Sequence, residues 1–355
     1  MRGGPELRVG LIGYGLAGSV FHAPFITSTP GMRLAAVVTS DPERSRKAAR
    51  EHPGARIVAK SELLWADASS LDLVVVATPN RTHAALAEEA LQAGLPVVVD
   101  KPLAPSTAEG QRLNNAAERK RLLLTVFHNR RWDGDFLTVR RLLREGAFGT
   151  VRRFESRFER WRPTPKPGWR LDGAPEAAGG LLFDLGSHLI DQALLLFGPV
   201  QQVYAELDRR SPGIEVDDDT FVALTHTSGV RSHLWMSSVA AQRGPRMRVL
   251  GSRAAYTKFG LDVQEEALRS GGRPDQPRWG EEDREAWGQL GAGDDVRPVR
   301  TEAGAYQEFY KGVVRALRDG APPPVNPAEA IAGLAIIEAA RRSASAGRVV
   351  STLQA

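Results

Sequence analysis

Apolar residues fall in short continuous runs through the first hundred positions, at 7–12, 34–38, 71–77 and 95–99. Between them stand stretches with helical spacing, at 43–51 and 82–93. Apolar strands alternating with helices predict a parallel sheet covered on both faces, because a strand buried on both sides has no polar face to show. From Val151 the pattern changes. The segments 151–161, 200–207, 220–226, 231–238 and 246–250 mix charged and apolar positions, and Thr227-Ser228-Gly229 supplies a turn between two of them. They predict a largely antiparallel sheet with one face covered by helices. Residues 270–300 are rich in Gly, Pro and charge without helical or strand spacing, so they read as a long loop. Residues 327–346 read as an alanine-rich amphipathic helix.

Composition sets bounds on this picture. A chain of 355 residues, 42% hydrophobic and 25% charged, is long enough for two domains, each with its own core. There is no cysteine, which excludes disulfides, thiolate metal sites and thiol nucleophiles. Net charge is +5, but the 47 basic and 42 acidic residues are interspersed and no recognition motif accompanies them, so no nucleic-acid partner is expected. The segment Met1-Arg2-Gly3-Gly4-Pro5-Glu6 has no apolar signal region, and no stretch reads as long enough to span a bilayer; a cytoplasmic protein without a membrane partner is the expectation.

The first apolar run leads into Gly13-Tyr14-Gly15-Leu16-Ala17-Gly18. This G-x-G-x-x-G pattern, between a strand and a helix start, suits a dinucleotide: one glycine for the tight turn, one for the approach of the pyrophosphate, one for close helix–strand packing. The second strand ends Thr39-Ser40-Asp41-Pro42-Glu43-Arg44. Small hydroxyls and a guanidinium favour the 2′-phosphate of NADP. Asp41 keeps NAD as second choice, since its carboxylate could meet a ribose; as an alternative it is a helix N-cap before Pro42.

Three further stretches resemble the Gfo/Idh/MocA oxidoreductases: Ala77-Thr78-Pro79-Asn80-Arg81-Thr82-His83, Val99-Asp100-Lys101-Pro102, and the run from Gly179-Gly180 through Asp184-Leu185-Gly186-Ser187-His188 to Asp191. Tyr306–Tyr310 and Asn326–Ala330 are of the same kind, so the resemblance covers nearly the whole chain. Phe21-His22-Ala23-Pro24-Phe25, Asp100 in place of the commoner glutamate, and Trp279-Gly280-Glu281 resemble a branch containing NADP-dependent scyllo-inositol dehydrogenases. The resemblance implies an α/β N-terminal Rossmann domain over 1–127, plus an α+β C-terminal domain over 128–355 with a large, mostly antiparallel open sheet. It implies Lys101, Asp184 and His188 as the catalytic group, Thr78, Pro79, Asn80 and His83 lining the cofactor, and Asn129, Arg130 and Arg131 near the domain junction.

Oxidising a secondary alcohol needs a base near the working pH and a group that holds the developing alkoxide. His188 suits the first role, with Asp184 four residues earlier to orient it, and Lys101 suits the second. Trp161, Trp169 and Arg170, around the proline-rich stretch 163–168, could wall a sugar or polyol pocket or simply pin a surface loop. A metal is not expected, although Asp184, His188 and Asp191, or His226 and His233, are the residue types a metal would use. Members of this family are commonly dimers or tetramers, and the open sheet is the expected surface. Other readings on the same fold are a nucleotide-binding regulator, or a reductase of a tetrapyrrole or other non-sugar carbonyl.

Overall fold

The computed structural model describes residues 5–165 and 168–352. Lys166 and Pro167 of the proline-rich stretch lie outside the described residues. The chain divides into two compact units. The first comprises Met1–Asn129, Glu265–Trp279 and Tyr306–Ile331; the second comprises Arg130–Gln264, Gly280–Ala305 and Ala332–Ala355. Each takes segments from the C-terminal third of the chain.

The first unit carries strands β1 (Leu7–Ile12), β2 (Met32–Val38), β3 (Arg56–Val58), β4 (Leu73–Val76), β5 (Val97–Asp100) and β6 (Leu124–Phe127). They form one parallel sheet in the order β3-β2-β1-β4-β5-β6, the order of a doubly wound dinucleotide fold. Helices α1 (Ala23–Ser28), α2 (Pro42–Glu51), α3 (Glu62–Trp65), α4 (His83–Gln92) and α5 (Thr107–Lys120) connect them. Val74, Val75, Val97, Val98 and Val99 have no exposed surface, which is why these strands read as unbroken apolar runs. The order reverses between β1 and β4, so their carboxyl ends open side by side, where ligands bind in such sheets. The turn after the glycine loop is wider than an ordinary helix: Ala17–His22 is π-helical before α1 continues it.

The second unit is built on nine strands: β7 (Val151–Glu159), β8 (Val200–Asp208), β9 (Asp219–His226), β10 (Arg231–Ser237), β11 (Met247–Gly251), β12 (Ala255–Lys258), β13 (Gly288–Ala292), β14 (Asp295–Val299) and β15 (Val350–Ser351). Their order is β14-β13-β12-β11-β7-β10-β9-β8-β15, and every pair is antiparallel except β7 with β10. Phe154, Phe158, Val222, Leu224, Leu234, Met236 and Val249 are buried on one face, and α7 (Ser187–Phe197) packs against β7 and β10 there; α6 (Gly134–Arg144) buries Phe136, Val139 and Leu142 in the same unit. The opposite face keeps Phe221, His233 and Trp235 partly exposed, with the rings of Phe221 and Trp235 5.1 Å apart.

Two sequence expectations change here. The presumed loop at 270–300 contains the hairpin β13–β14, turned by Gly293-Asp294 with Gly293 at φ +58°. Its outer strand is exposed almost throughout and holds Pro298, as an edge strand tolerates, and its two valines, Val296 and Val299, stand three positions apart, so the sequence carried no strand alternation. Also, one segment, Pro175–Phe197, is long and apolar enough by length and composition to cross a membrane. Of its most apolar stretch, 72% is buried inside the protein, as in the core helix of a globular domain.

Candidate active site

In the first unit the three loop glycines are held by three different constraints. Gly13 has φ +97°, and a Cβ there would stand 2.5 Å from the carbonyl oxygen of Ala77 on the neighbouring strand end. A Cβ on Gly18 would fall 1.9 Å from the carbonyl oxygen of Gly13. Gly15 is different: its Cβ would meet only the Arg44 guanidinium, at 3.7 Å. The first and third glycines let the chain pack on itself, and the second leaves open space with a cation beside it. Such a space can take a phosphate-bearing ligand.

Tyr14 is buried, and its hydroxyl meets Glu51 Oε2 at 2.6 Å and His52 Nε2 at 2.8 Å. Burial and then the Glu51 carboxylate push its hydroxyl far above the ordinary phenol range. Its role is to tie the loop to the end of α2, whose start carries Asp41 and Arg44. Asp41 accepts the backbone N–H groups of Glu43 and Arg44 at 2.9 and 2.8 Å, and these bonds, that of Arg44 foremost, hold its carboxyl below the usual range. The carboxylate is therefore engaged as the N-cap of α2. Ser40 and Arg44 are exposed and Thr39 is partly so; the Thr39 N–H donates to Val58 O at 2.9 Å.

The segment after β4 turns sharply through Asn80–Thr82, where the Thr82 hydroxyl donates to the Thr78 hydroxyl at 2.7 Å. Asn80 is buried, and Pro79 precedes the turn. His83 lies under this turn with 1% exposure, its Nε2 2.8 Å from Thr78 O and its Nδ1 2.7 Å from Pro102 O. Two carbonyls would favour a doubly protonated ring, but burial is the larger influence and lowers its basicity. So His83 staples the end of β4 to the Asp100-Lys101-Pro102 segment rather than lining open space. Asp100 Oδ1 accepts the Lys101 N–H at 2.8 Å, and Lys101 itself is partly exposed at the carboxyl end of β5.

In the second unit, Asp184 and His188 straddle the junction between the π-helical turn Leu182–Gly186 and α7. This turn is positioned by a residue the sequence did not single out. Asp217 sits half-buried between Leu182, whose N–H it accepts at 2.7 Å, and the Thr220 hydroxyl at 2.6 Å; desolvation raises its carboxyl above the usual range despite both bonds. Gly180, at φ +85°, allows the approach, since a Cβ there would stand 2.0 Å from Asp217 Oδ1. The run Asp217-Asp218-Asp219 before β9 was the available signal.

His188 is buried, with 6% exposure. Asp184 lies 3.4 Å from the Arg170 guanidinium, which stacks 4.5 Å from the Trp169 ring, so Trp169 and Arg170 join Asp184 in one cluster. Trp161 is 58% exposed and bridges only to Val239 on the backbone. Arg130 is buried, 3.5 Å from Asp133 and with its guanidinium 4.7 Å from the Phe158 ring, and Arg131 grips Asp191 through two contacts of 2.8 and 2.5 Å. Asn129 is buried at the end of the first unit. Asp191 is thus an arginine partner. His226 and His233 lie on successive strands, not one: His226 faces the covered side against Gly198 O and Ser232 Oγ, both at 2.8 Å, while His233 faces the aromatic side. Among the described residues no group of three or more His, Asp or Glu forms a metal site.

Comparison with known proteins agrees with this geometry. Residues 7–128 match the oxidoreductase family with an NAD-binding Rossmann fold, and residues 136–257 match the GFO/IDH/MocA C-terminal domain. The chain is 34% identical over 348 residues to the NADP(+) scyllo-inositol 2-dehydrogenase IolW of Bacillus subtilis, covering 97% of this chain and 95% of that protein. It is 39% identical over 341 residues to the uncharacterized oxidoreductase YdgJ of Escherichia coli, covering 96% of both. A solved Bacillus subtilis structure assigned to the oxidoreductases superposes with a TM-score of 0.93 at 34% identity, covering 100% of each chain.

Proposed function

The chain belongs to the Gfo/Idh/MocA family of NAD-binding oxidoreductases, and we propose that it is an NADP-dependent dehydrogenase acting on a secondary alcohol of a sugar, inositol or related polyol. One observation carries the cofactor choice: the Arg44 guanidinium lies beside the open side of Gly15 while Asp41, the acid at the strand end, is engaged as a helix cap. A 2′-phosphate would find a cation and the hydroxyls of Thr39 and Ser40; a bare ribose would find an Asp41 carboxylate with one oxygen already committed to the helix cap. The glycine-loop N–H groups would take the pyrophosphate, and Thr78, Pro79 and Asn80 would border the cofactor. When bound, the nicotinamide supplies the hydride chemistry.

The chain's own residues supply the proton and charge management. Lys101 donates a hydrogen bond to the substrate oxygen and favours its anionic form. His188 takes the hydroxyl proton, and Asp184 orients the ring or shares that proton. Arg170, stacked on Trp169 and paired with Asp184, offers donors for polyol hydroxyls. The substrate class rests on the likeness to the inositol dehydrogenase and on this set of donors.

The test is a titration of purified protein with NADPH and NADH, followed by nicotinamide fluorescence. NADPH is expected to bind more tightly. Arg44→Ala is expected to weaken NADPH roughly 10- to 100-fold, the equivalent of about 1.5–3 kcal/mol for a charge-assisted contact, and NADH by no more than about twofold. Equal losses for both cofactors would remove Arg44 from the phosphate site, and tighter NADH binding would overturn the NADP reading. Scyllo-inositol and its isomers, then aldoses, are the first substrates to assay with NADP.

The open sheet face is the proposed surface for a homodimer or homotetramer, since Phe221, His233 and Trp235 form an apolar patch with the Arg157 guanidinium 3.9 Å from the Trp235 ring. Trp235→Asp is expected to shift the sedimenting species toward monomer. An unchanged mass would move the contact elsewhere.

A further inference from the structure

His22 closes the π-helical turn after the glycine loop and has no exposed surface, with its ring 4.5 Å from that of Phe127 on β6. Its Nδ1 stands 2.6 Å from the hydroxyl of Tyr310, on the helix Gln307–Asp319. Its Nε2 lies 3.9 Å from Asp100 Oδ1 and meets no hydrogen-bond partner among the described residues. That same oxygen accepts the Lys101 N–H. All five residues belong to the first unit.

The protons can be placed from these contacts. The Asp100 carboxylate facing Nε2 favours the tautomer with its proton there, which leaves Nδ1 an acceptor; burial, and then the Asp100 charge, push the Tyr310 hydroxyl well above the ordinary phenol range, so Tyr310 has a proton to donate to Nδ1. A neutral imidazole that accepts at Nδ1 must carry its proton on Nε2, facing Asp100. Burial alone would raise the Asp100 carboxyl; the His22 ring, Lys101 and His83 outweigh it and hold the group below the usual range. His22, Lys101, His83 and Tyr310 are the titratable groups that bear on Asp100.

We propose that Tyr310, His22 and Asp100 form a positioning relay for Lys101: Tyr310 fixes the tautomer of His22, His22 keeps Asp100 anionic, and Asp100 holds the Lys101 backbone and supplies the counter-charge to its ammonium. None of the three touches substrate. The inference rests on the catalytic role proposed for Lys101.

The first test is nitrogen-15 NMR of histidine-labelled protein, with the His22 signal assigned by its loss in His22→Gln. The expected wild-type state is neutral with the proton on Nε2, and Tyr310→Phe, which keeps the ring packing, is expected to release that fixed tautomer. A wild-type ring protonated on Nδ1, or on both nitrogens at neutral pH, overturns the relay. The second test is the pH profile of kcat/KM. Loss of the Nε2 donor in His22→Leu frees Asp100 from its place beside Lys101, so kcat/KM is expected to fall about tenfold across the profile, with NADPH affinity kept within about threefold. His22→Gln keeps an N–H at the far end of the side chain and is expected to restore the wild-type profile. If His22→Leu fails to fold, Tyr310→Phe carries the same test through the NMR readout. A His22→Leu profile that superimposes on wild type, beside an inactive Lys101→Met, overturns the relay alone; retained turnover in Lys101→Met defeats the catalytic reading of Lys101 itself.

Discussion

Lys101→Met is expected to lower turnover by about a hundred- to ten-thousandfold while leaving NADPH affinity within about threefold. Methionine keeps the length and apolar stem of the side chain and removes only the ammonium. The groups proposed to hold the cofactor's phosphates, the glycine loop and Arg44, lie at the ends of β1 and β2, away from the Asp100-Lys101-Pro102 segment at the end of β5. Binding energy for the cofactor is therefore untouched, and the loss falls on the step in which the substrate oxygen becomes anionic. Such a split, in turnover and not in cofactor affinity, is the signature of a group that acts in the transition state. Turnover within a few fold of wild type would strip Lys101 of its role; a matching loss of NADPH affinity would assign it to cofactor binding instead.

The first sheet was legible because its physics is local. Strands buried on both faces are apolar throughout, and the glycine loop between β1 and the following turn shows as a six-residue pattern, with Gly18 packed on the Gly13 carbonyl, although Gly13 also packs on Ala77 of the neighbouring strand end. What escaped was short or exposed. β3 is a three-residue strand with an exposed first position, β6 is four residues long between a helix end and a 3-10 turn, and β14 is solvated along most of its length. None of these carries a period long enough to distinguish it from a loop or a helix segment.

The site shows the same division. Residue types were readable from their motifs, but their partners were not, since the pairings span large distances along the chain: His22 and Tyr310 are 288 positions apart, and Arg131 and Asp191 are 60 apart. Asp41 illustrates how little separates two readings. Its place beside the nucleotide loop allowed a ribose contact or a helix cap, and the cap became visible only through the two backbone N–H groups directed at Oδ1. Likewise, His83 sits in a motif whose resemblance pointed to the cofactor, whereas its two ring nitrogens are engaged by carbonyls of the protein.

The largest loss of stability is expected from Arg246→Met, about 3–5 kcal/mol at pH 8, because it leaves buried acids without their cation. Arg246 is 3% exposed, with Nε 3.3 Å from Asp135 and a terminal nitrogen 3.7 Å from Asp133; its other terminal nitrogen donates to Ser156 at 2.6 Å. Asp133 is raised well above the usual carboxylate range by burial first, with Asp262 and Asp135 adding to it against the pull of Arg130 and Arg246; Asp262 is pushed up to about 6, again mainly by burial. A carboxyl raised on folding binds a proton that the unfolded chain has already released. Its contribution to stability is full below the unfolded value near 4 and is lost as pH rises through the folded value, here about 6 for Asp262. Removing Arg246 raises these groups further, so the deficit of the variant is expected to be greatest at pH 8 and smaller at pH 5, where the acids are closer to neutral. Urea midpoints of both proteins at the two pH values measure this directly. Asp135→Asn added to Arg246→Met is expected to recover part of the loss, since it removes one of the stranded charges. A deficit below about 1 kcal/mol that does not change with pH would mean that Arg130 and the hydrogen bonds to Asp262 already balance the acids, and would remove Arg246 from that role.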